Sequence, residues 1–200
     1  MAVDIDIRDL RPGELPAAVG VLARGMRDNP LHVAAYGADP RRRLRCHAQI
    51  MRGLFATSSR QQPICAVRGE TILGVMGVSP PGACQAGPGQ KLRQLPGLLL
   101  LGLPTSMRVL RWVTEWSARD LAEPHVHLGP LAVDAHLQGQ GVGTLIMRAH
   151  CDRLDQDGLP GYLETDKQQN VAFYRRFGYA VIDEGTVLGV PSWYMRRAPR

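Results

Sequence analysis

Residues 131–144 read LAVDAHLQGQGVGT, and this stretch decides the fold. An apolar run, Leu131 to Val133, passes through a short loop into Gly139, Gly141 and Gly143. A segment with Val142, Leu145, Ile146 and Ala149 at helical spacing comes next. The pattern is strand, glycine turn, helix. The first backbone N–H groups of a helix have no partner within it, and the positive end of the helix dipole stands behind them. Such a turn binds anions, and a pyrophosphate suits it. Glycine lets the backbone approach a phosphate with no Cβ between them.

Three phosphate loops compete for the pattern. A Walker loop requires Gly-Lys-Ser/Thr, and no lysine stands between Gly143 and Thr144. The dinucleotide fingerprint G-x-G-x-x-G is met at Gly139 and Gly141 but fails at Thr144. Glu164 falls where a ribose-binding acid would sit, yet too little chain remains for further βα units. The third pattern, Q/R-x-x-G-x-G/A, is matched by Gln138, Gly141 and Gly143.

Working outward, Val126 to Val133 reads as a strand and 142–157 as a helix ended by Gly158 and Pro160. Tyr162 to Thr165 is a short strand, and Asn170 to Phe177 a short helix capped by Gly178. Two strand-like runs, Tyr179 to Asp183 and Ser192 to Arg196, end the chain, linked by 185–191. Upstream, the alternation Val3, Ile5, Ile7 predicts a first strand. Leu15 to Met26 predicts a helix closed by Asn29 and Pro30, and 41–57 a second. Ile64 to Arg68 and Thr71 to Val78 read as a hairpin. Residues 79–123 open with Pro/Gly loops and carry a helical piece near Thr105 to Leu121. They read as one long excursion between strands, too short for a core of their own. The whole chain, 1–200, is expected to be a single α/β (α+β) domain around one mixed sheet.

Composition agrees. Two hundred residues, 44% hydrophobic and 21% charged, suit one soluble globular domain. The longest apolar stretch, Leu98 to Leu103, is far below the ~20 residues of a membrane span. Cys46, Cys65, Cys84 and Cys151 show no CxxC spacing, and Met1 leads straight into the first strand pattern. A reduced, cytoplasmic protein with no membrane partner is expected. The net charge is +6, from 24 basic and 18 acidic residues, nearly all the basic ones arginine. Arginine matches phosphate geometry, but the charge alone does not choose between a nucleic acid and a phosphorylated cofactor.

The segment Gln138 to Gly143 resembles the acetyl-CoA pyrophosphate loop of the GNAT family of N-acetyltransferases. The likeness continues from Val126 to Arg197, through Leu128 to Asp134, Leu163-Glu164-Thr165, Asn170, and Phe173 to Tyr179. The last stretch, with Val190 to Arg196 after it, is close to puromycin N-acetyltransferase and its relatives. The resemblance implies a mostly antiparallel, twisted sheet flanked by helices, with strands splayed around acyl-CoA. It implies acetyl-CoA as co-substrate and direct transfer of its acetyl group to a primary amine.

That chemistry assigns roles. The backbone N–H groups of Gly139, Gln140, Gly141, Val142, Gly143 and Thr144, with Gln138, would hold the diphosphate. Leu131, Ala132 and Val133 would pair with the pantetheine arm, with Asn170 and Phe173 beside it. A backbone N–H near Leu131 would meet the oxyanion, and Pro130 would favour splaying. Tyr174, one turn after Asn170 on the same helical face, is the candidate acid at the departing sulfur. An ammonium has no lone pair, so a base is needed. Relatives often carry a carboxylate eleven residues before the loop's Gln, where this chain has His127; Glu164 is the rival.

Other features read as structural. The run Arg41-Arg42-Arg43-Leu44-Arg45 begins an amphipathic helix without interleaved aromatics, so a solvated face is expected and no nucleic-acid partner. His125 and His127 lie two apart on a strand, but no cysteine or carboxylate cluster in the sequence completes a metal site. Adjacent His150 and Cys151 diverge by about 100° on a helix. Trp112 and Trp116 share a helix face, as core or pocket lining. The apolar excursion at 79–123 is expected to cover the acceptor pocket and to suit a bulky, partly hydrophobic small-molecule amine, on a monomer or homodimer. A peptide or protein N-acetyltransferase and a non-catalytic acyl-CoA sensor are the alternatives.

Overall fold

The structure, a computed structural model, describes residues 5–57 and 62–200. Its elements run β1 (Asp6–Asp9), α1 (Leu15–Gly25), α2 (Pro30–Tyr36), α3 (Pro40–Thr57), β2 (Ile64–Arg68), β3 (Thr71–Ser79), α4 (Pro88–Leu99) and α5 (Leu103–Ser117). They continue with β4 (Val126–Val133), α6 (Val142–Asp157), β5 (Gly161–Thr165), α7 (Gln168–Arg175), β6 (Ala180–Val187) and β7 (Val190–Arg197). Of the alternating residues expected in the first strand, Ile7 lies in β1 and Ile5 just before it; Val3 lies outside the described residues.

The seven strands form one twisted sheet in the order β1-β2-β3-β4-β5-β7-β6. Every pairing is antiparallel except β4 with β5. Side-chain alternation feeds two cores. Ile64, Ala66 and Leu73 pack under Val142, Ile146 and Met147 of α6 with Val171 and Tyr174 of α7. Cys65, Val67 and Val75 face the other way, against Ala18, Val19 and Leu22 of α1 and Met51 of α3. A third, smaller cluster joins Ala35, Tyr36 and Cys46 to Leu101 and Val109 of the excursion. Through Leu101 and Val109 the excursion packs against α2 and α3.

Three readings change. Asn29-Pro30 closes nothing: Pro30 sits at the first position of α2, where its missing N–H costs no hydrogen bond and its fixed φ suits a helix. The excursion holds two helices, because α4 precedes the expected one. The arginine run is only half solvated. Arg41 and Arg45 are exposed. Arg43 is buried and donates to Asp28 at 2.6 Å and to the carbonyls of Arg27, Gly37 and Ala38. Arg42 donates to the Leu101 carbonyl and Thr105 Oγ1, tying α3 to the excursion.

Candidate active site

The site begins where β4 and β5 part. Their parallel ladder has two rungs, Val126 with Gly161 and His127 with Tyr162. On its other side, β4 breaks register with β3 between Met76 and Val78. A Cβ on Gly77 would stand 3.1 Å from Pro130 Cδ, so the irregularity sits at Pro130, which has no N–H for a ladder. The half of β4 that has left β5, still paired with β3 on its other edge, lines a cleft of about 450 Å³.

This cleft gathers most of the predicted cofactor-binding residues. Leu131, Ala132 and Val133 line it from β4, and Gln138, Gly139 and Gly141 from the turn. Val142, Gly143 and Thr144 line it from α6, and Asn170, Phe173 and Tyr174 from α7. Gln140 does not line it; its Nε2 donates to the His136 carbonyl at 3.2 Å. Gly25, Met26 and Asn29 of the α1–α2 bend, and Lys167, Gln169 and Arg176, also line it. No sequence signal pointed to these six.

The turn's geometry comes from its glycines. Gly139 and Gly141 have φ of 79° and 85°, a region that costs other L-residues ~1–2 kcal/mol. Gly141 caps α6. Among the described residues, the amides of Gly139 to Gly143 donate no backbone hydrogen bond. Thr144 differs from expectation: its N–H turns back to the Gly141 carbonyl at 2.9 Å and is not a free donor. Gln138 braces the loop, donating through Nε2 to the carbonyls of Gly25 at 3.0 Å and Val133 at 3.2 Å. Arg24 fixes Asp134 from α1 with Nε at 3.1 Å from both carboxylate oxygens. The α1 end lies so close that a Cβ on Gly25 would strike the Val133 carbonyl.

Tyr174 is buried on the cleft wall with its ring 5.3 Å from Phe173. Burial pushes its hydroxyl pKa up, so the O–H is retained throughout the neutral range. Asn170 donates to Thr165 Oγ1 at 3.2 Å, joining α7 to the end of β5.

The two base candidates do not line this cleft; they are partners. His127 Nε2 donates to Glu164 Oε2 at 2.8 Å at the last rung before the strands separate. Burial works to lower the imidazole pKa, but the Glu164 charge and hydrogen bonds with Cys84 and Glu164 outweigh it, raising it to about 10. The Tyr162 ring stands edge-on to His125 at 5.5 Å and His127 at 5.3 Å, and its hydroxyl donates to the Arg119 carbonyl.

The structure also corrects the reading of the histidine pair. Cys84 and Asp120, from the two ends of the excursion, converge on His125 and His127. Cys84 Sγ is 3.4 Å and Asp120 Oδ1 2.9 Å from His125 Nε2. Burial pushes the Cys84 thiol up, and hydrogen bonds with His125 and His127 bring it down to about 7. The spacing Asp120-x4-His125-x-His127 was available in the sequence; Cys84, 41 residues before His125, was not connected to it. His150 Nε2 meets the Tyr179 hydroxyl at 3.1 Å.

Comparison with known proteins adds to this geometry. The family model "Acetyltransferase (GNAT) family" matches residues 34–179. The histone acetyltransferase HPA2 and related acetyltransferase of Corynebacterium glutamicum superposes with a TM-score of 0.71 at 14% identity, over 98% of this chain and 97% of that one. The Drosophila melanogaster polyamine N-acetyltransferase, which forms N-acetylagmatine, gives 0.62 at 16% identity, over 98% and 100%. A Brucella melitensis GNAT acetyltransferase in complex with acetyl-CoA gives 0.55 at 18% identity, over 98% and 88%. At these identities the likeness is one of fold. Among the described residues, no helix is long and apolar enough to cross a membrane.

Proposed function

The chain belongs to the acetyltransferase (GNAT) family, and on that premise we propose that its acceptor is the primary amine of a small molecule and that the cleft along β4 carries the reaction. The enzyme uses acetyl-CoA as co-substrate and transfers the acetyl group to an amine. The observation that carries the site assignment is the coincidence of the β4–β5 parting with unsatisfied glycine amides in one cleft.

The residues fit that co-substrate. The amides of Gly139 to Gly143 at the α6 start offer donors for a diphosphate. Lys167 and Arg176 add positive charge to the same cleft. The free edge of β4 at Leu131 to Val133 offers backbone groups to an extended amide-bearing arm, and an N–H there serves the oxyanion. The amine nitrogen bonds to the thioester carbon, the C–S bond breaks to release the CoA thiolate, and one proton passes from the amine to the base. Tyr174 holds its proton and donates a hydrogen bond to the departing sulfur. Of the two base candidates, Glu164 is favoured, reaching the amine through water because it does not line the cleft; His127 already commits Nε2–H to it and acts as its positioning residue.

A small amine is favoured over a peptide because the excursion supplies apolar side chains and few acids. Leu95, Leu99, Leu103, Met107, Leu110 and Val113 are all exposed on α4 and α5. Kinship to the puromycin-acetylating branch is proposed on the runs Phe173 to Tyr179 and Val190 to Arg196. Thiol release from acetyl-CoA, with mass spectrometry of products, tests the reading on three acceptors: a polyamine, a bulky apolar primary amine and a basic peptide. Turnover of a small amine supports it. Turnover of the peptide alone overturns the acceptor class, and tight acetyl-CoA binding without turnover makes the protein a sensor.

A further inference from the structure

The geometry points to a divalent metal site, of the zinc class, held by Cys84, Asp120, His125 and His127. Each contributes one donor atom, and the four atoms lie within 4.8 Å of one another. Cys84 Sγ and His125 Nε2 are 3.4 Å apart, His125 Nε2 and Asp120 Oδ1 2.9 Å, and His127 Nδ1 and Asp120 Oδ1 3.9 Å. A tetrahedral zinc with bonds of about 2.0–2.3 Å sets its ligand atoms about 3.3–3.8 Å apart. The observed separations bracket that range, so small side-chain rotations close the shell.

The outer partners make the case specific. His125 donates Nδ1–H to the Glu123 carbonyl at 2.8 Å. His127 donates Nε2–H to Glu164 at 2.8 Å. Each outward nitrogen thus keeps a proton of its own, and a metal would displace the inward proton and take the inner nitrogen's lone pair. This is how metal-bound histidines are held: the second nitrogen donates to a carboxylate or carbonyl that fixes tautomer and ring plane. The buried Tyr162 ring stands edge-on to both imidazoles and restrains them further. With a metal bound, two imidazole lone pairs, a carboxylate and a thiolate would converge on it in place of the hydrogen bonds that now join these groups.

The donor set selects the ion. One thiolate, one carboxylate and two neutral imidazoles sum to −2, so a dication leaves the site neutral. Mixed sulfur and nitrogen donors in a four-coordinate arrangement favour zinc over calcium or magnesium. With four protein ligands the shell is closed, which makes the site structural. Its place in the fold agrees. Cys84 precedes α4, Asp120 comes after α5, and both histidines are on or just before β4. The ion would clasp both ends of the excursion to the strand that carries His127.

The test uses the full chain under reducing conditions, stripped with a chelator and titrated with Zn(II) or Co(II). Metal analysis should return one zinc per chain. Co(II) should give the intense visible bands of a tetrahedral centre and a near-ultraviolet thiolate charge-transfer band. Zinc at a hundredfold excess over its Kd should raise Tm by about 5–10 °C. Cys84→Ser should abolish the charge-transfer band, and Cys84→Ser or His125→Gln should each weaken zinc binding by more than the ~10–100-fold lost with an outer-shell partner. Circular dichroism and acetyl-CoA binding show whether each variant is folded. Failure to bind either ion, an octahedral cobalt spectrum, or zinc binding that survives both substitutions overturns the site. None of these readouts depends on acetyl transfer.

Discussion

His127 and Glu164 meet through a 2.8 Å hydrogen bond at the point where two parallel strands stop pairing. The imidazole comes from β4 and the carboxylate from β5, so neither strand alone builds the pair. Glu164→Gln keeps an acceptor for His127 Nε2–H and removes the proton acceptor. We expect kcat to fall ~100-fold or more while acetyl-CoA affinity holds. Raising the pH toward the acceptor's own pKa should restore rate, because the amine then arrives neutral. A variant with near-normal kcat at pH 7 would remove Glu164 from the chemistry.

Gly141→Ala tests the cradle. At φ 85° an alanine is strained by ~1–2 kcal/mol, although no neighbouring atom within 4 Å would block its Cβ. The free space is where a phosphate would approach. Acetyl-CoA binding measured calorimetrically should weaken by about tenfold or more. Gln138→Ala should weaken it by a smaller factor, since it loses only the brace to Gly25 and Val133 at ~1 kcal/mol. Unchanged affinity in both variants would place the co-substrate elsewhere.

Tyr174→Phe removes one hydroxyl from a buried ring that still packs against Phe173. A hydrogen bond made only as sulfur departs should appear in kcat and spare the acetyl-CoA KM. The expected loss is ~10–100-fold. A change in KM alone would make the residue a binding contact.

How far the sequence can be read depends on how local each feature is. The glycine turn is legible because Gln138, Gly141 and Gly143 set its backbone within six residues. Helix α2 is not, because Asn29-Pro30 looks the same as a stop and as a start. Tertiary packing of Leu31 and Ala35 decides between the two. Helix α4 has no buried residue and an internal Pro96, so it shows no core-facing stripe. Strand β6 is mostly exposed, which hides its continuation to Val187 and the tight turn at Leu188 and Gly189, with φ of 52° and 78°. The Cys84–Asp120–His125–His127 cluster needs the excursion folded back on β4, and no spacing rule spans it.

Arg43 carries the correction to the arginine run into a stability measurement. Its guanidinium satisfies three carbonyls and Asp28 from a buried position. Arg43→Met leaves those carbonyls without their donor, at a cost of about 3 kcal/mol or more in urea unfolding. Arg45→Ala, at an exposed position of the same helix, should cost under ~0.5 kcal/mol. Equal, small effects would mean that the whole run is surface charge.

The buried histidines make the fold acid-sensitive. Burial lowers His32 well below the usual imidazole value, aided by His47, Lys167 and Arg43; it lowers His47 to about 3. Burial, with Arg197 and Arg153 nearby, takes His150 to about 4. The folded state keeps these rings neutral, while the unfolded chain protonates them near pH ~6.5. Their contribution is therefore intact above about pH 6.5 and drains as pH falls toward the folded values, at ~1.4 kcal/mol per pH unit for each ring. His150→Gln retains an acceptor for the Tyr179 hydroxyl and removes one titrating group. Urea unfolding from about pH 6.5 down to about 4 should show the variant's stability falling less steeply than wild type by that one-proton increment. Parallel curves would mean that His150 is already protonated in the native protein, or remains neutral in the unfolded one.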